Sequence, residues 1–179
     1  PNVPASLGWV TFSEGKASRR GGRLRGCLGV RCVAASTGRT ASQPLLPVGF
    51  HRTDIAGLQR LCVDYFPGSR TRPRLMNAVS MIVSLANRLG IVSRLWVAGG
   101  FLTEDENPSD CMIILVVDER ALEALDEDQR EFFNWFRDVP LYEKYGCRNY
   151  AVVLDAARPE HHRLCQFWLR QLGFHAETG

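Results

Sequence analysis

Apolar residues recur along much of the chain with the period of an amphipathic helix. The pattern is clearest over residues 72–89, where apolar positions three and four apart fall on one face. Gly90 follows this stretch and is typical of a residue that ends a helix. Three further stretches have the same period: residues 55–62, 119–138 and 159–174. Within the second of these, Asp126 and Gln129 have the spacing of a capping box that restarts the helix.

Three other segments are apolar runs of the kind found in strands. They read SRLWVAGG, CMIILVVD and RNYAVVLD, and the second is apolar at almost every position. Such a run suits a strand that is covered on both faces of a sheet. The alternation of helices and strands therefore predicts an α/β or α+β fold, with one small sheet flanked by helices.

Charge divides the chain into two parts. Residues 1–44 carry seven basic side chains and one acid, a net charge of +6, whereas the whole chain carries +3. This segment is rich in Gly and Arg and has no useful helical or strand period, so we expect a poorly ordered leader before a folded domain at residues 45–179. The leader is interpreted either as a nucleic-acid-binding arm, acting through residues 16–39, or as a segment without a binding role. The lack of interleaved aromatic residues favours the second interpretation.

The remaining composition indicates a cytoplasmic globular protein without membrane contact. Hydrophobic residues make up 45% of the chain, yet no apolar run approaches the roughly 18 residues that a membrane helix needs. The six cysteines could be paired in three disulfides, but a chain of this length and apolar content does not depend on them. Reduced thiols are therefore expected.

The most informative segment lies between two of the predicted strands. Gly99 and Gly100 end the first strand, and Asp110 immediately precedes the second. Glycines at a strand end let backbone N–H groups approach a phosphate, and an acid nearby can coordinate Mg²⁺. Asp110 has an equally good alternative role, because Ser109 and Asp110 after Pro108 form a turn whose carboxylate caps local backbone.

This arrangement resembles the nucleotidyltransferase superfamily that includes DNA polymerase β and the minimal nucleotidyltransferases. A closer likeness is to an uncharacterised bacterial and phage branch. It is carried by LLPVGFH at residues 45–51, LWVAGGFLTEDENPSD at 95–110, YGCRNYAVV at 145–153 and FWLRQLGFHAETG at 167–179. The resemblance implies a nucleotidyltransferase-type small mixed sheet. It also implies phosphate contacts from Gly99, Gly100 and Thr103, and Asp110 as catalytic metal ligand.

The departures from that family bear on catalysis. Active members hold two divalent metals with three carboxylates. Asp110 matches the first of these carboxylates. The second should lie at residue 112, which is Met112, and the third should lie near Arg148 and Asn149, neither of which is an acid. A thioether is a poor ligand for Mg²⁺, so magnesium binding is expected to be weak or absent, with Asp105 as an alternative ligand from the loop.

Other residue clusters give weaker signals. His161 and Cys165 have a helical spacing that can ligate zinc, but no second ligand pair matches it, so an exposed helix surface is favoured over a zinc site. His51 is expected to have a packing or capping role. Trp96 and Trp135 are expected in the core.

Three functions follow. The first is a catalytically impaired nucleotidyltransferase-like protein, or pseudoenzyme, that binds a nucleotide, RNA or a protein partner. The resemblance implies that such a protein is a component of a toxin–antitoxin or phage-defence pair. The second is an active enzyme that moves NMP from NTP to a protein or RNA hydroxyl. The third is a nucleic-acid-binding protein that uses its basic leader.

Overall fold

The structure is a computed structural model, and it describes residues 10–12, 29–34, 42–47, 49–91 and 93–154. Six strands of the described chain form one sheet: β1 (Val10–Phe12), β2 (Gly29–Ala34), β3 (Gly49–Thr53), β4 (Arg94–Ala98), β5 (Cys111–Asp118) and β6 (Cys147–Leu154). The helices are α1 (Ile55–Gln59), α2 (Arg72–Leu89), α3 (Glu119–Glu123), α4 (Glu127–Asp138) and α5 (Tyr142–Tyr145), and a π-helical turn at Arg60–Asp64 and a 3₁₀ turn at Gly100–Leu102 complete the set.

The sheet is mixed and its strands follow the order β3-β2-β1-β4-β5-β6. Strand β5 runs antiparallel to β4, with Ala98 opposite Met112, and parallel to β6, with Met112 opposite Arg148. The end of β4 and the beginnings of β5 and β6 therefore meet at one edge of the sheet. The predicted mixed α/β fold is confirmed.

Both faces of the central strands are buried, as the unbroken apolar run of β5 predicts. Alternate residues of β4 and β5 face two clusters. One lies under α2 and α4 and includes Leu95, Ile113 and Leu115, and the other, on the opposite face, includes Trp96 and Met112. Trp96 is buried and Trp135 packs partly buried against the first cluster, in keeping with the expectation that both are core residues.

The ends of the helices agree with the sequence signals. Helix α2 ends at Gly90, which has a φ of 70°. The capping box at the start of α4 is formed, because Asp126 accepts a hydrogen bond from the Gln129 backbone and the Gln129 side chain accepts one from the Asp126 backbone. Gln129 also donates to the carbonyl of Leu89 at 2.8 Å and so connects α4 to the end of α2.

The leader differs in part from expectation. Strands β1 and β2 both lie within residues 1–44, which were expected to be poorly ordered, and β1 pairs with β2 and β4. Short strands of this kind take their order from pairing with distant strands, which a local periodicity cannot reveal. Residues 42–44 of the leader are also described, and Pro44 forms a β-bridge with Thr103. The rest of the leader and the predicted helix at 159–174 lie outside the described residues. No helix in the described ranges is long and apolar enough to cross a membrane.

Candidate functional site

The double glycine forms a tight turn against the beginning of β5. Gly99 has a φ of 91° and a ψ of −167°, a conformation that side chains rarely allow. A Cβ atom on Gly99 would lie 3.3 Å from the backbone nitrogen of Met112 and 3.5 Å from Oδ1 of Asp110. The turn therefore needs glycine for its backbone geometry and for the close approach of the β5 backbone at Met112.

Thr103 lies inside the loop that follows the turn. Its side chain is buried, and its hydroxyl donates a hydrogen bond to the carbonyl of Gly100 at 2.8 Å. The neighbouring backbone is paired with an earlier segment, since Leu45 donates to Leu102 and Glu104 donates to Gln43. The single hydrogen of the hydroxyl is used within the loop, so Thr103 contributes to loop structure, and its contact with phosphate stays a prediction.

The other acids of the loop lie at its surface, and the alternative that Asp105 ligates a metal stays a prediction. Asp105 accepts a hydrogen bond from the backbone of Asn107 at 3.0 Å, which is a local turn contact. Glu104 and Glu106 are exposed. In the described part of the chain, no group of three or more His, Cys, Asp or Glu residues is placed to hold a metal ion.

Asp110 is instead paired with an arginine. Oδ2 of Asp110 lies 2.7 Å from Nε of Arg148, and the two side chains are 15% and 38% exposed. The register of β5 and β6 produces this pair, because Arg148 lies opposite Met112, two residues after Asp110. The Arg148 guanidinium also lies over the ring of Tyr142, 5.3 Å from its centroid.

These groups do not fit a pair of magnesium ions. The buried thioether of Met112 stands where the second carboxylate is expected. The cationic side chain of Arg148 stands where the third carboxylate is expected. Magnesium prefers oxygen ligands and near-octahedral geometry, and a single carboxylate already paired with guanidinium does not provide that. Weak or absent magnesium binding stays a prediction, and this donor set is the physical reason for it.

Asn149 has a structural role on the other side of β6. Its side-chain oxygen accepts a hydrogen bond from the backbone of Leu141 at 2.9 Å, and its amide donates to the carbonyls of Phe136 and Val139. These bonds connect the end of α4, the start of α5 and β6. Asn149 therefore positions the helices that flank the sheet and contributes nothing to the Asp110 site.

Arg72 is the residue that sequence reasoning missed. Its side chain is fully buried, and its guanidinium donates to the backbone carbonyls of Phe101, Thr103 and Asp105 in the loop after the glycine turn. A signal was present in the sequence. Arg72 precedes Leu75 by three residues and Met76 by four, so it occupies the apolar face of α2, where an arginine needs internal partners.

The other candidates have structural roles or lie outside the described residues. Nε2 of His51 lies 2.7 Å from the carbonyl of Pro47, which agrees with a capping role. Cys62, Cys111 and Cys147 carry free, buried thiols, as expected for reduced cysteines. Burial raises the pKa of Cys62 to about 12, so this thiol is a poor nucleophile. His161, His162 and Cys165 are outside the described ranges.

Two grooves are lined wholly by described residues, and neither involves the residues of this site. They have volumes of about 550 and 370 Å³ and lie on either side of Trp135 on α4. Their lining includes Glu127, Asp138 and Leu85. The candidate site thus consists of the glycine turn, the Asp110–Arg148 pair and the exposed ring of Tyr142.

The fold and this site define a mixed α/β protein in which a glycine turn closes onto an aspartate–arginine pair at one edge of the sheet. The chain belongs to DUF6932, a family of unknown function, whose model matches residues 39–176. No curated protein and no solved structure matches the chain.

Proposed function

We propose that this chain is a nucleotidyltransferase-like protein that binds a nucleotide or an RNA end without performing metal-dependent transfer. The observation that carries the proposal is the 2.7 Å contact between Arg148 and Asp110. It supplies a fixed positive charge where the resemblance predicts acids that hold metal ions. The broader role suggested by the resemblance, in a toxin–antitoxin or phage-defence pair, requires only binding.

Charge explains why the site disfavours catalysis by two metals. Two divalent cations in one cleft require several carboxylates to balance them, and Asp110 is already neutralised by Arg148. At a separation of about 4 Å and an effective dielectric constant of about 20, two unit charges repel each other by about 4 kcal/mol, and the repulsion from a divalent ion is about twice that. A magnesium ion would therefore have to displace the guanidinium before it could bind Asp110.

The same guanidinium suits a phosphate-bearing ligand. Its ion pair with Asp110 is made through Nε, and the side chain is 38% exposed, so a ligand can approach the guanidinium from solvent. A guanidinium binds phosphate with two parallel hydrogen bonds and needs no metal to do so. Tyr142 is 44% exposed beside it and offers a ring on which a base can stack.

Calorimetric titration tests this function directly. Purified protein is titrated with ATP, with CTP and with a short RNA, in the presence of Mg²⁺ and separately in the presence of EDTA. We expect binding that survives EDTA, weakens with added salt and is lost in Arg148→Met. Arg120→Met, which removes an exposed arginine at the start of α3, is the matched control and should bind as the wild type does.

A second assay decides between binding and transfer. The protein is incubated with labelled ATP or CTP, Mg²⁺ or Mn²⁺ and candidate acceptors. Label transfer that is lost in Asp110→Asn would show an active enzyme and overturn the proposal. Nucleotide binding that requires Mg²⁺ would also overturn it, because Arg148 would then not be the cation that holds the phosphate.

A further inference from the structure

Arg72 is connected to the loop after the glycine turn by an unusually complete set of hydrogen bonds. The guanidinium has five N–H donors and makes five bonds, all to backbone carbonyls. Nε donates to Asp105 at 3.1 Å, Nη1 donates to Cys62 and Phe101 at 2.9 Å each, and Nη2 donates to Thr103 and again to Asp105. Its planar group lies over the ring of Phe66, 3.6 Å from the centroid.

The carbonyls that Arg72 binds have few other partners. Apart from one 3₁₀ turn of three residues and a single β-bridge between Thr103 and Pro44, the loop between β4 and β5 has no strand ladder or long helix to pair its backbone. Buried backbone carbonyls must find donors somewhere. Arg72 donates to the carbonyls of Phe101, Thr103 and Asp105 and so replaces the secondary structure that this segment lacks.

The charge of Arg72 is balanced by these dipoles and not by a carboxylate. Among the described residues, no acid lies within ion-pair distance of it. Burial lowers the pKa of Arg72, while Cys62, Asp105 and Glu106 act in the opposite direction. Arginine keeps its proton under such conditions, so the loop is organised around a permanent internal cation.

A second set of contacts connects the same two segments. The side-chain oxygen of Asn107 accepts a hydrogen bond from the backbone of Arg70 at 2.7 Å and one from the hydroxyl of Ser69 at 3.4 Å. The segment that precedes α2 and the loop that precedes β5 are therefore joined at Asn107 as well as through Arg72.

We propose that Arg72 is a positioning residue for the glycine-turn loop, holding residues 101–105 against α2 so that Gly99 and Gly100 stay aligned with Asp110. This proposal deepens the proposed function and rests on it, because it names the residue that would pre-organise the nucleotide-binding loop. It predicts that the loop opens together with the first turn of α2 and not independently of it.

Hydrogen exchange of the wild-type protein tests the coupling without any substitution. The amides of Leu102 and Thr103 bond within the loop, and the amide of Leu75 bonds to Thr71 at the start of α2. Hydrogen exchange of these amides is measured at a series of urea concentrations, all below the concentration at which the protein unfolds. We expect these three amides to share one opening transition. Loop amides that exchange at a rate independent of the start of α2 would overturn the proposal.

Substitution then identifies the guanidinium as the cause. Arg72→Lys keeps the charge but cannot supply five donors in one plane, and we expect loop amides to exchange at least about tenfold faster while amides in α4 stay unchanged. Arg70→Lys, which changes an exposed arginine two residues away, is the matched control and should leave exchange unaltered. If Arg72→Lys accelerates exchange equally in the loop and in α4, the residue only stabilises the whole fold and the proposal is wrong.

Chemical rescue adds a readout that a general structural role would not give. In Arg72→Ala, millimolar methylguanidinium should restore protection to the loop amides, whereas methylammonium should not. Nucleotide titration of the same variants keeps the two proposals separate. The loop amides could exchange slowly only when Arg72 is present, while the protein binds no nucleotide. That result would support Arg72 as the positioning residue and reject the proposed function.

Discussion

Replacing Arg148 with aspartate should convert the site into one that binds metal. The substitution removes the guanidinium from Asp110 and places a second carboxylate where the resemblance expects an acid. Two carboxylates at the beginnings of adjacent parallel strands are a reasonable ligand set for Mn²⁺, which accepts oxygen donors. The wild-type protein lacks such a set in its described residues.

The expected loss of stability in Arg148→Asp follows from the exposure of the Asp110–Arg148 ion pair. Exposed ion pairs contribute about 0.2–1 kcal/mol, and removing one partner of a buried pair costs about 3–5 kcal/mol. Asp110 and Arg148, at 15% and 38% exposure, lie between these limits, so Arg148→Asp should cost about 2 kcal/mol without metal. For a chain of this size, that corresponds to a fall in Tm of about 4–8 °C.

Metal should reverse most of that destabilisation. An ion present at about one hundred times its Kd stabilises the folded state by about 2.7 kcal/mol. Thermal unfolding is measured for wild type, Arg148→Asp and Arg148→Asn across a millimolar range of MnCl₂. Only Arg148→Asp should gain stability with Mn²⁺, and adding Asp110→Asn to it should abolish the gain. An equal gain in the wild type would refute the reasoning, since it would show that Arg148 does not block the metal.

Three further substitutions test the local structure by urea unfolding. Gly99→Ala should lower the free energy of unfolding by about 1–3 kcal/mol, because the φ of 91° is strained for alanine and the new Cβ would press on β5. Asn149→Ala should cost about 1–3 kcal/mol, since it leaves the partly buried amide of Leu141 and carbonyl of Phe136 without their partner, whereas the nearby Lys144→Ala should cost far less. Asp126→Ala should cost about 1 kcal/mol because it removes the capping box, and an unchanged midpoint would contradict that assignment.

The sequence predicted those parts of the site that depend on residues close together in the chain. The glycine turn, the loop and the position of Asp110 follow from one segment, and the structure places them together. The pairing of Asp110 with Arg148 could not be read from the chain, because it depends on the register between β5 and β6. The presence of Arg148 where the resemblance expects an acid was nevertheless evident before the structure was known.

Several contacts become evident only in the folded chain. Thr103 looks like a ligand in the motif, but its hydroxyl is used by Gly100 once the 3₁₀ turn forms. Arg72 looks like any residue of an arginine-rich segment until the helical face it occupies is considered. Strands β1 and β2 have no distinctive local pattern and become ordered by pairing with each other and with β4.

The position of β1 and β2 changes how the basic leader must be tested. Removing residues 1–44 would delete two strands, and β1 lies between β2 and β4 within the sheet. Such a deletion would abolish nucleic-acid affinity by unfolding the sheet, whether or not the arginines bind. A suitable variant keeps the residues of both strands and replaces the four arginines between them with glutamine. These are Arg19, Arg20, Arg23 and Arg25.

The quadruple variant separates an electrostatic arm from a structural segment. If the leader binds nucleic acid, the affinity should fall and the salt dependence should become shallower, because each phosphate that an arginine no longer neutralises keeps its counterions. Replacing the exposed Arg74, Arg88, Arg120 and Arg137 with glutamine in a second variant controls for net charge. Equal affinity and an equal salt slope in both variants would show that the arginines between β1 and β2 do not read nucleic acid. Binding would then have to come from the folded domain, where Arg148 is the cation that the structure places beside the glycine turn.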